Sequence, residues 1–360
     1  MLRRHFISTA FAASVLNALQ KEKIDEAEDF ISKHVNSGAV ERASLHVRQG
    51  ATTRHGKFNL AKGRQGIFLL ASISKPMTAT GVMLLSDRGE LALDDKVRKF
   101  IPEFREGDRS DITIRHLLTH TSGLPDQLPA NVEMRKRNAP LSEFVEGAIH
   151  TPLLFKPGER YKYQSMGILL AAEVCQRITK TPFPEYLAEV LYGPLGMKHS
   201  AMGLGSIALK DTERSQVEKG PPHSGLGKKE AAYWDWNSPY WRNLASPWGG
   251  AHATAADVSL FFDEFLYPEK AKVLKPETAR LMVQNHTPKL EQSRGLGFAL
   301  GDGAGANCSP ETFWHGGATG TLAWADPAKN LSFVLLTTLP SNVANKLVLK
   351  PASDIVSEAG

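Results

Sequence analysis

The chain has 360 residues, enough for a large core or two lobes, and its 42% hydrophobic and 22% charged residues are ordinary for a soluble globular protein. Lys and Arg outnumber Asp and Glu by 43 to 38. The basic residues are scattered in short runs such as Arg135-Lys136-Arg137 and Lys228-Lys229, without an aromatic-interleaved stretch, so nucleic acid is not an expected partner. Two cysteines, Cys175 and Cys308, supply neither a disulfide framework nor a metal pattern.

The first residues, Met1-Leu2-Arg3-Arg4-His5-Phe6-Ile7-Ser8, lead into a small-residue apolar stretch ending near Leu19. Adjacent arginines before a modest apolar segment resemble a twin-arginine export signal, which predicts a periplasmic or exported protein whose mature chain begins near residue 20. The stretch is far short of the roughly 20 apolar residues a membrane span needs. Helical spacing follows over 22–36, with Ile24, Ala27, Phe30 and Ile31 on one face. Two β-like stretches, 42–49 and 51–59, flank a turn at Gly50. The apolar run Ile67 to Ala71 then opens a helix expected from Ser72 to Gly89. Pro76 lacks an N–H and fits only a first turn, so this helix cannot start much earlier.

Beyond a loop and the segment Ile112 to His120, the pattern from 140 to 200 is mainly helical, broken at Pro157-Gly158 and Gly193-Pro194. Residues 203–250 are rich in Gly, Pro and Trp and lack periodicity, which predicts a long loop region. Helices are expected at 254–266 and 276–284. Strands are expected at 296–301, 311–315, 320–325 and 331–338, and a last helix at 342–358. Strands at both ends and helices between them predict an α+β fold. Its antiparallel sheet is built from both chain ends, with flanking terminal helices and an inserted helical lobe. The expected division is an export signal over 1–20, an α/β lobe from 21–70 and 290–360, and a mainly helical lobe over 71–289.

Candidate chemistry begins with Ser72-Ile73-Ser74-Lys75. Ser72 sits at the lip of the helix, near unsatisfied N–H groups, and Lys75 lies one turn along on the same face. A lysine held out of water loses its proton near neutral pH and can take that of a serine, which makes a nucleophile without a His-Asp pair. Tyr163 lies just before a helical run beginning near Met166; close to an ammonium its pKa would fall and it could relay protons. In Phe313-Trp314-His315-Gly316-Gly317-Ala318-Thr319-Gly320, glycines let the backbone run close to a ligand and offer an N–H to an oxyanion. His116 and His120 have a metal-like spacing, but no third ligand accompanies them and a turn explains them equally well. Trp234, Trp236, Trp241 and Trp248 either wall a pocket or anchor the long loop.

In this order, Ser-x-x-Lys, Tyr-x-Ser and His-Gly-Gly resemble the serine β-lactamase and penicillin-binding-protein superfamily, nearest its class C-related esterases, D-aminopeptidases and D,D-peptidases. Ile114 to Pro125, Gly249 to Asp257 and Gly316 to Pro327 resemble that branch's linking segments. The resemblance implies that Ser72 is acylated and that Lys75 and Tyr163 share the proton work. It puts backbone N–H groups of Ser72 and Ala318 in the oxyanion hole, and His315 where β-lactamases carry a lysine. Ser165, Gly316, Gly317 and Trp248 are the expected substrate contacts. Two departures stand out: Ser165 replaces an asparagine, and His315 replaces a permanent cation that would bind a carboxylate. Both lean toward neutral esters, or amides lacking a free carboxylate. The expected function is thus a serine hydrolase, carboxylesterase-like, acting on a small-molecule or peptide substrate without cofactor or metal. The alternatives are a D-amino-acid peptidase, a weak β-lactamase, or a non-catalytic ligand- or cell-wall-binding relative.

Overall fold

A computed structural model describes residues 21–221 and 226–359. The expected export signal therefore lies outside the described residues. Its strands, in chain order, are β1 (Ala43–Gln49), β2 (Thr52–Phe58), β3 (Phe68–Leu69), β4 (Ala201–Met202), β5 (Ala251–Ala253), β6 (Ala299–Leu300), β7 (Phe313–Gly317), β8 (Thr321–Asp326) and β9 (Leu331–Thr337). Six of them make one antiparallel sheet in the order β2-β1-β9-β8-β7-β6, so strands from the two chain ends meet at the β1–β9 pair. This is the α+β architecture expected from the sequence. Gly50, at φ +56°, makes the tight turn between β1 and β2. The β8–β9 connection turns through Pro327–Lys329 and Asn330 in the left-handed conformation.

The sheet buries both faces over its central strands β1, β9 and β8, while the edge strand β2 is largely exposed. On one side, the helix over 21–36 sets Ile24, Ala27, Ile31 and Val35 against β-sheet residues such as Leu45 and Phe333, joined by the C-terminal helix Lys350–Ser357. That helix is interrupted where the sequence predicts continuity. Pro351 has no N–H to give to the preceding turn, and residues Asn345–Leu349 just before it widen into π-helix. On the other side, Ala255–Leu266 packs across β9, β1 and β8 and begins the larger core. The stem of that core is Ser74–Asp87, buried from Ser74 to Leu85 and packed on Met166–Thr179. A helix buried all round has no polar face to display, which is why its sequence shows little amphipathic period.

A second sheet, β3-β5-β4, was not expected. Its strands are two or three residues long and too short to carry a period. It matters because β5 pairs with the residues just before Ser72. Residues 203–221 and 226–250 form turns and the short helix Pro239–Asn243, as expected of a loop region.

Candidate active site

Ser72 is the middle residue of a single 3-10 turn, Ala71–Ile73, which runs directly into the helix Ser74–Asp87. Ala71 holds φ +48°, a left-handed conformation that L residues adopt at a cost of about 1 kcal/mol. Contacts from both sides hold the turn. Ser74 Oγ donates to the Ala71 carbonyl at 2.7 Å and accepts from the Ala251 N–H at 2.9 Å. Thr319 Oγ1 and Thr321 Oγ1 donate to the carbonyls of Leu69 and Leu70 at 2.6 and 2.8 Å. Strand β7 can come this close because residue 317 is glycine: a Cβ there would stand 2.2 Å from the Leu70 oxygen.

Lys75 is 1% exposed, with Nζ 3.2 Å from Ser72 Oγ and donating to the Trp248 carbonyl at 3.0 Å. Burial pulls its pKa down to about 7; Arg294 pushes the same way and Asp126 opposes. The amine is thus a base poised near neutrality. The Tyr163 hydroxyl is hydrogen-bonded to Ser72, and Lys75 Nζ lies over its ring, 4.7 Å from the centroid. Here the sequence expectation of a lowered phenol pKa is reversed. Desolvation raises it above the usual phenol range, with the bond to Ser72 only opposing. The physical reason is that burial outweighs the nearby charges: Arg294 lowers the value, but Asp126 raises it.

His315 is buried, and its Nδ1 lies 2.7 Å from the Gly316 carbonyl. A carbonyl only accepts, so this contact assigns the proton to Nδ1 and leaves Nε2, buried and without a partner, as the acceptor. Burial first, then Arg294 and Lys75, hold its pKa well below the usual imidazole range. The ring is therefore neutral and does not stand in for a lysine cation. Ser72, Tyr163, His315, Gly316, Gly317 and Ala318 line one cleft of about 910 Å³.

Two expected substrate contacts lie elsewhere. The Trp248 ring turns into the helical core against Phe144, centroids 6.0 Å apart, and only its carbonyl reaches the site. Ser165 is 4% exposed and donates to Asp126 Oδ1 at 2.6 Å; it does not line the cleft. The other indoles anchor the long loop: Trp234 and Trp241 sandwich the Arg135 guanidinium at 4.7 and 4.1 Å. His116 and His120 diverge. His116 completes a capping box with Thr113, while His120, at φ +61°, lays its ring against Tyr163 with centroids 4.8 Å apart. Cys175 and Cys308 are unbridged, each buried in a different core. Among the described residues, no three His, Cys, Asp or Glu side chains are grouped to hold a metal, and no helix is long and apolar enough to cross a membrane.

Three residues at the site carried no sequence signal: Tyr161, Asp126 and Arg294. Arg294 lines the cleft beside Tyr161, its guanidinium carbon 5.6 Å from that ring's centroid. It sits in Ser293-Arg294-Gly295, which matches no pattern, and only the folded chain brings it to Ser72.

Comparison with known proteins places the fold and the family. Protein flp of Staphylococcus aureus (strain MW2) is 25% identical over 297 residues, 80% of this chain but 56% of the relative, so the chain spans little more than half of that protein. Among solved structures, EstCE1, a hydrolase with promiscuous acyltransferase activity, superposes with a TM-score of 0.75 at 20% identity, covering 96% of this chain and 99% of that one. Simvastatin synthase (LovD) from Aspergillus terreus gives a TM-score of 0.74 at 20% identity over 93% and 97% of the two chains. These likenesses establish a shared fold. The family model described as Beta-lactamase matches residues 27–354, nearly the whole described chain, and the protein belongs to the Beta-lactamase family.

Proposed function

We propose that the protein is a serine hydrolase that forms an acyl-enzyme on a carboxylic ester or amide. The observation that carries this reading is the buried Lys75, its pKa drawn to about 7, with Nζ 3.2 Å from Ser72 Oγ. A solvated capping serine and surface lysine would show neither the burial nor the contact.

In this reading Ser72 Oγ attacks the substrate carbonyl and Lys75 takes its proton. The new C–O bond puts negative charge on the carbonyl oxygen, which the N–H groups of Ser72 and Ala318 receive. Tyr163 stays a phenol because burial disfavours its anion. It gives its proton to the leaving oxygen or nitrogen as the substrate bond breaks, and takes the proton that Lys75 acquired from Ser72. The cycle leaves the phenol and the amine as they began. Water then enters, gives a proton to Lys75 and attacks the acyl carbon, and Ser72 Oγ leaves with that proton.

A fluorophosphonate probe tests the reading. The expected result is a stoichiometric adduct on Ser72, found by mass spectrometry of the intact protein and lost in Ser72→Ala. Equal labelling of wild type and Ser72→Ala, or none in either, would overturn it. A non-catalytic relative would instead bind ligand tightly in both proteins and hydrolyse no p-nitrophenyl ester.

A further inference from the structure

The cleft contains a cation that the family's usual position has lost. With His315 neutral, the strand that would carry a lysine offers no permanent charge. Arg294 comes from a different place, the loop before β6, and is only 5% exposed. Its backbone is fixed there: its N–H donates to Thr287 Oγ1 at 3.0 Å, and its carbonyl accepts from His286 N at 2.8 Å.

Its side chain is the unusual part. Nε and Nη2 are buried and have no hydrogen-bond partner, and no described carboxylate forms an ion pair with the guanidinium. Buried arginines elsewhere in this protein are provided for. Arg242 donates to Trp236 O, Thr212 Oγ1, Glu213 O and Asn237 Oδ1; Arg135, whose Nε also lacks a partner, still donates to Trp234 O through Nη2 and lies against two indoles. A charged donor buried without acceptors is costly, and native folds keep one mainly where something else completes it. Arg294 sits with Tyr161, Tyr163 and His315 on the wall of the cleft that holds Ser72. Its planar fork matches the two oxygens of a carboxylate.

We propose that Arg294 is the specificity-determining residue of this cleft and that the natural ester or amide carries a carboxylate which its guanidinium binds. The inference rests on the acyl-transfer reading and narrows it. It also reverses the lean toward neutral substrates that the replacement of lysine by His315 suggested. The carboxylate has two sources, the acyl group or the group that leaves, and the test separates them.

The test compares matched esters. p-Nitrophenyl hemisuccinate against p-nitrophenyl butyrate places the charge on the acyl side; m-acetoxybenzoate against phenyl acetate places it on the leaving side. In the wild type, one acidic ester is expected to exceed its neutral partner by roughly 10- to 100-fold in kcat/KM, the worth of a charge-assisted pair. Arg294→Gln should bring that ratio to near parity, and Arg294→Lys should keep part of it. Benzoate should inhibit the wild type competitively and bind Arg294→Gln much more weakly. If Arg294→Gln does not fold, the wild-type preference and Arg294→Lys decide. Should the wild type label at Ser72 and hydrolyse neutral esters with no preference in either arm, the inference falls and the acyl-transfer reading stands. Should nothing label or turn over, that reading falls. Calorimetry with benzoate then still judges Arg294, and equal binding to wild type and Arg294→Gln would overturn its role.

Discussion

Two regions of this molecule bury an arginine, and they treat it in opposite ways. In the 203–250 segment Arg242 is 1% exposed and its donors meet a hydroxyl, a side-chain amide and two carbonyls at 2.5 to 3.3 Å. Around Ser72, Arg294, His315 and His120 are as deeply buried, yet all three keep ring or guanidinium nitrogens without partners. Both regions pay for taking polar groups out of water. Only the first recovers the cost within the chain, where Arg242 ties the short helix Pro239–Asn243 to the irregular segments beside it. In the second, the cost remains within the chain; Arg294 and His315 line the cleft, and His120 lies behind them against Tyr163. The difference separates buried polarity that folds the protein from buried polarity that acts on something else.

Lys75 is the sharpest way to break this contrast. Lys75→Met should lower acylation by roughly 10²- to 10⁴-fold, as loss of a proton-transfer group commonly does. The same change should stabilise the fold at pH 7 by roughly 1–3 kcal/mol, because it removes a desolvated amine and fills the space with a thioether. For the wild type, linkage gives the sign. The folded-state pKa, about 7, lies below the ordinary lysine value, so between about pH 7 and 10 the unfolded chain binds the extra proton and stability rises with pH. Urea melts of both proteins across that range measure the effect. A Lys75→Met protein that is both inactive and less stable would show the amine to be structural.

Gly317→Ala comes next. The added methyl would meet the Leu70 carbonyl and Thr321 Oγ1, each at 2.2 Å, so β7 must move off the turn that presents Ser72. A displacement near 1 Å can cost about 10²-fold in rate, and overpacking about 1–3 kcal/mol in stability. Rates near wild type with an unchanged melt would mean that β7 does not set the geometry at Ser72.

Arg242→Met probes the other region. It leaves the Trp236 and Glu213 carbonyls without their donor and should cost about 3–5 kcal/mol in urea melts, while the ratio of acidic to neutral ester turnover stays at the wild-type value. A changed ratio would mean the two regions are not separate in function, and the contrast between them would fail.

How much of this could be read from the chain depends on distance along it. The Ser72–Lys75 pair was legible because one helical turn joins the two residues, and Pro76 fixes where that turn begins. The sheet was legible from alternating strands with short turns. Its meeting of chain ends followed because strands lie at both ends and helices between. Trp248 misled because an indole in a glycine-rich segment fits a pocket wall and a core equally well; the helical core beside Phe144 took it. Ser165 misled because its partner, Asp126, lies 39 positions away. Arg294 was invisible for the same reason: nothing in Ser293-Arg294-Gly295 marks it, and its charge matters only beside Tyr161 and Tyr163. The phenol pKa failed for a different cause, since a charge effect was expected where burial dominates.

The smallest effect is the most diagnostic of how the cleft charges act on one another. kcat/KM for a neutral ester should rise with pH and level off through a limb near pH 7, because Lys75 must lose its proton before it can take one from Ser72. His315 and His120 are held neutral well below that range and contribute nothing to the limb. Arg294 and Asp126 act on Lys75 in opposite senses, the guanidinium favouring the neutral amine and the carboxylate the ammonium. Arg294→Gln should therefore move the limb to higher pH, and Asp126→Asn should move it lower. A general loosening of the site would let water reach the amine and raise its pKa in both variants. Opposite displacements thus identify two charges acting on one base; displacements of the same sign would show that the cleft senses packing there and not charge.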